Sequence, residues 1–525
     1  MPFYTVEDLQ VGEKTMFNSI TKLYELAWGG DLAKVFVRES FRVNKHERDV
    51  TVLTWLSDTR KTPVLLYYFR VAALYVRDEL QDMLMDNPFK QNLPRLVTRG
   101  VCITGSPGIG KSVSLLYILV LRLLCKLPTA LMIDDTGVFF IDVKGVQFIN
   151  IERLRNEALL PRGTWFLVDC RGKLRSVPSD ILTAVSFCEG FIVHAASARA
   201  PNLDWLTKVD RSIPPQLYMD LWSMDDLIIA RNFQCRLWDE LPDERTMRHF
   251  VEKYGSTPRF VYGSSNYNDR YDMLVKQKIV SLDMYKLNHL LFGAPGNFAG
   301  LDPEVSNLFI RTFPSKGNRR VATRGVPTRY LTERLYSLFS SRQADAARSL
   351  YKLFVANGFT KASAGFLLER LFVDEFPLGG EWAMTRMNEE FDDEKTFWRF
   401  DAGSPAEYLR IGYQRKLVDI EDQKVPEDTT YSSLPTAHFA MGEIKTLDEK
   451  FYVPVPRSSP SVDALIYEKG SKVATLFQVT VGKRHDLKVT KLSWLKGLGA
   501  QHLDVVVVTC PLKGDMIWVA WRHSS

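Results

Sequence analysis

Residues 105–112 read Gly-Ser-Pro-Gly-Ile-Gly-Lys-Ser, a complete GxxxxGK[ST] spacing. An apolar run, Val101-Cys102-Ile103, precedes it, and a helix-forming run from Ser114 to Leu119 follows. Strand, glycine loop and helix are the context this motif requires. Glycine at 105, 108 and 110 opens backbone angles closed to other residues, so the loop N–H groups can curl around an anionic phosphate. A helix starting near Lys111 adds its positive end. Gly105, Ser106, Pro107, Gly108, Ile109, Gly110, Lys111 and Ser112 are therefore candidate nucleotide contacts. Lys111 is placed for the β- and γ-phosphates and the Ser112 hydroxyl for Mg²⁺. ATP and Mg²⁺ are the expected cofactors.

A nucleoside triphosphatase also needs an acid for the metal, a group that polarises water, and positive charge for the transition state. Asp169 ends the apolar run Trp165-Phe166-Leu167-Val168 and is the candidate metal acid beside Ser112. Cys170 follows it where many ATPases carry a second acid, so slow hydrolysis is expected unless Glu189 or Asp135 supplies the base. Arg171, Arg199 and Arg259 are candidates for contact with the γ-phosphate. Arg199 follows a strand-like run, and Arg259 follows the turn Gly255-Ser256-Thr257-Pro258.

The 525 residues are enough for about three or four domains. Composition is that of a soluble globular protein, with 46% hydrophobic residues and 12% aromatics. A formal charge of +6 permits a nucleic-acid partner without demanding one. Cys102, Cys125, Cys170, Cys188, Cys235 and Cys510 show no C-x-x-C spacing and read as buried free thiols of a reducing compartment. The N-terminus lacks the basic start and apolar core of a signal peptide. The longest apolar stretch, Leu115 to Ile133, is broken by Arg122, Lys126 and Pro128 and reads as a buried helix and the next strand. No membrane association is expected, and the sequence leaves room for an oligomer.

The expected architecture is α/β and multidomain. Residues 1–95 form an adaptor region in which Val71 to Met85 reads as an amphipathic helix. Residues 96–230 alternate apolar runs with helical stretches, as in a parallel sheet, with strands at Ala130–Ile133, Val138–Ile141, 165–169 and 191–197. Residues 231–340 form a helical, winged-helix-like module, in which the basic stretch from Asn318 to Arg324 reads as a solvated loop. Residues 345–525 open with a helix and continue with strand-like runs at 398–400, 462–467, 473–481, 505–508 and 517–521.

That last region carries a second candidate site. Asp463 precedes one strand-like run, and Gln478 and Thr480 alternate within the next, on one face by the period of two. Polar residues in such an apolar strand are costly to bury without a partner. The layout resembles the restriction-endonuclease-like core, in which an acid on one strand and an acid-x-lysine pair on the next hold Mg²⁺. Asp463 is the metal acid by this resemblance, and Glu369, on the preceding helix, is the candidate for the further glutamate. Gln478 stands where an acid is usual and Thr480 where lysine is usual, with Lys483 or His485 able to replace the missing lysine. Between Gly470 and Ala500 six Lys/Arg face only Asp486, a charge pattern that suits a phosphate backbone.

The loop, the Phe166-Leu-Val-Asp169 strand, the segment Leu221 to Leu227, the Gly-Ser-Thr-Pro-Arg turn, and Asp463 with Phe477-Gln-Val-Thr-Val together resemble the Crinkler and retrotransposon-hot-spot proteins, over residues 95–525. The resemblance implies an NTPase module coupled to a carboxy-terminal nuclease-like domain. DNA, host or nuclear proteins are the implied partners, and the nucleus, by way of a host cell, the implied site of action. It places Lys111, Ser112 and Asp169 at the nucleotide and Glu369, Asp463, Gln478 and Thr480 at the nuclease-like site. The sequence departs from the Crinkler effectors in lacking a Leu-x-Leu-Phe-Leu-Ala-Lys header. Two readings follow: an ATP-driven machine that cleaves DNA, or a nucleotide-switched binder with an inactive nuclease fold.

Overall fold

The computed structural model describes residues 11–43, 46–54, 73–76, 82–84, 99–156, 160–169, 176–196, 205, 216–232, 241–293, 308–342, 345–356, 360–392, 395–400, 407–411, 417–418, 433–440, 443–455, 462–480, 493–509 and 517–523. The chain is mixed α/β and divides into two compact units, Met1–Leu331 and Thr332–Ser525.

The first unit is built on a seven-stranded sheet ordered β10-β4-β9-β8-β5-β6-β7. Its strands are β4 (Gly100–Thr104), β5 (Thr129–Met132), β6 (Gly137–Asp142), β7 (Gly145–Asn150), β8 (Trp165–Asp169), β9 (Phe191–Ala195) and β10 (Gln216–Tyr218). Five of them, β10, β4, β9, β8 and β5, run parallel, and β6 and β7 extend the sheet antiparallel. β4, β5, β8 and β9 are buried at every position. A parallel sheet covered on both faces demands such near-continuous apolar runs.

Alternation sorts each strand between two cores. Val101, Ile103, Leu131, Leu167 and Val193 share one cluster with Leu115, Leu116 and Leu119 of α2 (Lys111–Leu124) and with Met16, Ile20 and Leu23 of α1 (Val11–Ala27). Cys102, Ala130, Met132, Phe166 and Ile192 pack on the opposite face with Ile181, Ala184 and Val185 of α3 (Ser179–Phe187). Cys102 and Cys188 are buried free thiols, whereas Cys125, past the end of α2, is exposed.

Ahead of this core lies a three-stranded antiparallel sheet: β1 (Phe36–Val43), β2 (His46–Thr54) and β3 (Ala73–Val76). β3 corrects the helix expected over 71–85. Its four residues pair with β2, and the other described residues of that stretch, 82–84, have a helical backbone. Tertiary pairing overrides the local pattern there.

After β10 come α4 (Met224–Arg231), α5 (Glu244–Tyr254), α6 (Pro258–Val261), α7 (Ser264–Ile279) and α8 (Met284–Phe292). α4 opens with a capping box between Ser223 and Asp226. The basic stretch expected as a solvated loop is instead β12 (Asn318–Gly325), paired antiparallel with β11 (Arg311–Ser315). Gly317, at φ +77°, makes the turn. The boundary between the units falls inside α9 (Arg329–Arg342).

The second unit continues with α10 (Ala346–Ala356) and α11 (Lys361–Glu375), then a ten-stranded mixed sheet. Its strands are β13 (Gly380–Asp392), β14 (Lys395–Phe400), β15 (Glu407–Ile411), β16 (Leu417–Val418), β17 (Thr436–Phe439), β18 (Phe451–Pro454), β19 (Ala464–Glu468), β20 (Val473–Val479), β21 (His502–Thr509) and β22 (Ile517–His523). β19 and β20 form an antiparallel pair. A crossover through α12 (Ser493–Gly497) then sets β21 parallel to β20. Phe372 packs tilted and Phe376 edge-on against Phe477, which fixes the end of α11 over β20.

Candidate nucleotide and nuclease-like sites

The phosphate loop leaves the carboxyl end of β4 and enters α2 at Lys111. Gly105, Gly108 and Gly110 all carry positive φ, at +139°, +79° and +103°. A side chain is excluded at Gly108 for a second reason: a β-carbon there would stand 2.9 Å from Arg259 Cβ and 3.0 Å from Thr257 Cγ2. Arg259, on α6, thereby stands against the loop.

The Lys111 ammonium folds over the loop, donating to the Gly105 carbonyl at 3.1 Å and the Ser106 carbonyl at 2.8 Å. Burial of that ammonium, then the nearby positive charge of Arg259, lowers its pKa from 10.5 to about 8, against the opposing pull of Asp169. The Ser112 hydroxyl donates to Asp169 Oδ1 at 2.9 Å. Asp169 is almost wholly buried at the end of β8. β9 stands between β4 and β8, so serine and carboxylate meet over its carboxyl end, where parallel sheets gather ligands.

The donor set suits a hard divalent cation. Two hard oxygens already stand at about the separation of adjacent ligands around an octahedral Mg²⁺, roughly 2.9 Å for bonds of 2.0–2.1 Å.

Two further residues, Trp222 and Thr312, anchor the loop through contacts that no spacing along the chain signals. Trp222 Nε1 donates to the Ile109 carbonyl at 2.8 Å from 113 residues away. The Ser106 N–H and hydroxyl both donate to the Thr312 carbonyl, at 3.1 and 2.9 Å. The Thr312 N–H returns a bond to Ser106 Oγ at 2.8 Å. His194, on β9, accepts a hydrogen bond at Nδ1 from Trp205 Nε1 at 2.8 Å, and burial lowers its pKa to about 3. It is a neutral core residue.

Glu189 does not serve as the water base. It precedes β9, at the amino-end edge of a strand parallel to β4, and pairs with Arg162. The loop leaves from the opposite edge. Asp135 is exposed after β5. Arg171 and Arg199 lie outside the described residues, as do Cys170, Cys235 and Cys510.

In the second unit Asp463 and Gln478 come together across β19 and β20. Asp463 Oδ2 accepts from the Val479 N–H at 2.7 Å and from the Gln478 side-chain amide. The Asp463 N–H donates to the Phe477 carbonyl at 2.9 Å. Thr480 lies one residue past the end of β20, where its N–H donates to Val508 O at 2.8 Å, and so is not within the strand as its alternation with Gln478 implied. Glu369 is on α11, three residues before Phe372 and so on the face that reaches Phe477. Lys483 and His485 lie outside the described residues. Among the described residues no group of three or more His, Cys, Asp or Glu is placed to hold a metal ion.

No known protein-family profile matches the chain. It is similar to Crinkler effector protein 16 of Phytophthora infestans, with 22% identity over 438 residues, covering 81% of this chain. The aligned region spans 60% of that relative's length. The similarity is Crinkler-like. No helix among the described residues is long and apolar enough to cross a membrane.

Proposed function

We propose that this chain is a Crinkler-like effector whose first unit is a P-loop NTPase that binds and hydrolyses ATP with Mg²⁺, and whose second unit is a restriction-endonuclease-like module that binds DNA, with the nucleus as its site of action. The observation that carries the reading is the 2.9 Å pair of Ser112 and Asp169 beneath a loop with three positive-φ glycines. Residues 57 positions apart supply the two metal-facing oxygens such a site needs. In this reading the loop amides and Lys111 hold the phosphates, Ser112 and Asp169 hold Mg²⁺, and Arg259 faces the γ-phosphate. The metal supplies charge neutralisation at the phosphates. The relative's name supports the effector role, and the lone acid at the end of β8 supports slow turnover.

Purified protein with Mg²⁺ and ATP should release phosphate, and Lys111→Ala should reduce release to background. Equal release by both proteins would remove the loop from the reaction.

A second reading concerns the carboxy-terminal module. Nuclease chemistry needs anionic ligands, and here the Asp463 carboxylate is satisfied by the Gln478 amide and a backbone N–H. That arrangement favours binding without cleavage over an active nuclease.

A further inference from the structure

The hairpin β11–β12 touches the site described above through Thr312 at its base, while its turn has no role there, and its composition is one-sided. Between Arg311 and Thr332 the chain holds six Lys and Arg and neither Asp nor Glu. Folding sorts these charges. Arg311 is 1% exposed and donates from Nη2 to the Tyr254 carbonyl at 3.1 Å. Arg324 is 6% exposed and donates from Nη1 to the Gly293 carbonyl at 2.6 Å. These two arginines hold the base of the ribbon on α5 and α8. Lys316 and Arg320 are exposed and Arg319 is half-buried, all at the turn around Gly317. Among the described residues, a β-carbon at Gly317 would meet nothing within 4 Å.

We propose that this tip is a contact surface for duplex DNA, and that the base of the same hairpin links DNA contact to the state of the phosphate loop. A two-stranded ribbon fits the major groove, and three cations at its turn match a polyphosphate backbone. The turn, Lys316-Gly317-Asn318-Arg319-Arg320, carries no apolar side chain to insert into a bilayer. The link is the three hydrogen bonds between Ser106 and Thr312. Ser106 belongs to the loop assigned to phosphate, so a rearrangement of the loop must carry or break the hairpin's attachment. DNA and nucleotide then change each other's affinity by one common factor. This coupling rests on the proposed nucleotide site, whereas the DNA contact does not.

The test is anisotropy of a short fluorescent duplex with the full chain at several salt concentrations, beside a separate titration with fluorescent ATP. Lys316→Ala/Arg319→Ala/Arg320→Ala should bind the duplex about tenfold or more weakly at low salt. Its salt slope should fall by about 2 to 3, with ATP affinity unchanged. Arg245→Ala, an exposed arginine elsewhere on the first unit, should match wild type. Saturating Mg·ATP should change the wild-type duplex affinity by about fivefold or more, and Ser106→Ala should bring that ratio close to one. Wild-type affinity and slope in the triple variant would overturn the DNA surface, as would failure of the wild-type protein to bind duplex or stronger competition by single-stranded RNA. Intact ATP binding with no effect on DNA would overturn the coupling. Absence of ATP binding in wild type, with the triple variant still impaired on DNA, would sink the nucleotide reading and leave the tip assignment standing.

Discussion

In the proposed nucleotide site, Lys111 is the residue on which charge, burial and ligand meet. Its ammonium is enclosed by the loop carbonyls and repelled by Arg259, so it titrates near pH 8 in the nucleotide-free protein. The sign follows directly. Between about pH 8 and the ordinary 10.5 the unfolded chain holds more protons than the folded one. This group's contribution to folding stability therefore rises with pH across that window. A triphosphate placed against the ammonium favours its charged form and pulls the pKa back up. ATP binding at pH 8 should therefore take up a fraction of a proton, and affinity should weaken as pH rises further. Calorimetric titrations in two buffers of different ionisation enthalpy check this. Apparent binding enthalpies that agree in both buffers would contradict it.

At the scale of elements, the close approach of α6 to the phosphate loop is a steric commitment. Gly108→Ala would place a β-carbon 2.9 Å from Arg259 Cβ at a φ of +79°, and the root of a side chain cannot swing aside. A loss of about 1–3 kcal/mol is expected, read from the midpoint of urea unfolding and accompanied by weaker ATP binding. An unchanged midpoint would mean that α6 yields freely.

How far elements could be read from the chain depends on their burial. β4, β5, β8 and β9 announce themselves because a doubly covered parallel strand must be apolar throughout, and the acid that ends β8 stands out against that run. β11 and β12 lack that signal. Pro314 interrupts one and arginines crowd the other, because only the base of the hairpin is buried. The partners of Ser106 and Ile109 were invisible for another reason: Thr312 and Trp222 are set by long-range packing, not by any spacing along the chain. Asp463 and Gln478 were assigned to one site by the resemblance to the restriction-endonuclease-like core, and the antiparallel pairing of β19 with β20 sets them in contact. Thr480 was placed too far into the strand because strand ends follow pairing rather than composition.

At the scale of the whole molecule, two units carry two different kinds of polar site. In the first, serine and carboxylate sit at the mouth of a parallel sheet beside a loop built for anions. In the second, a carboxylate just before β19, an interior strand of the sheet, accepts hydrogen bonds from an amide and a backbone N–H. Plasmid DNA with Mg²⁺ should therefore remain uncut by wild type and by Asp463→Ala alike. The variant should be less stable by about 1–3 kcal/mol, since two donors lose their acceptor. Cleavage by wild type that Asp463→Ala abolishes would restore the nuclease reading. The central claim concerns the first unit, and its most direct measurement is ATP affinity by calorimetry with and without Mg²⁺ for wild type, Ser112→Ala and Lys111→Ala. Wild type should bind Mg·ATP more tightly than free ATP, Ser112→Ala should lose most of that difference, and Lys111→Ala should show no binding. Full affinity in Lys111→Ala, or the same metal dependence in Ser112→Ala as in wild type, would contradict the account.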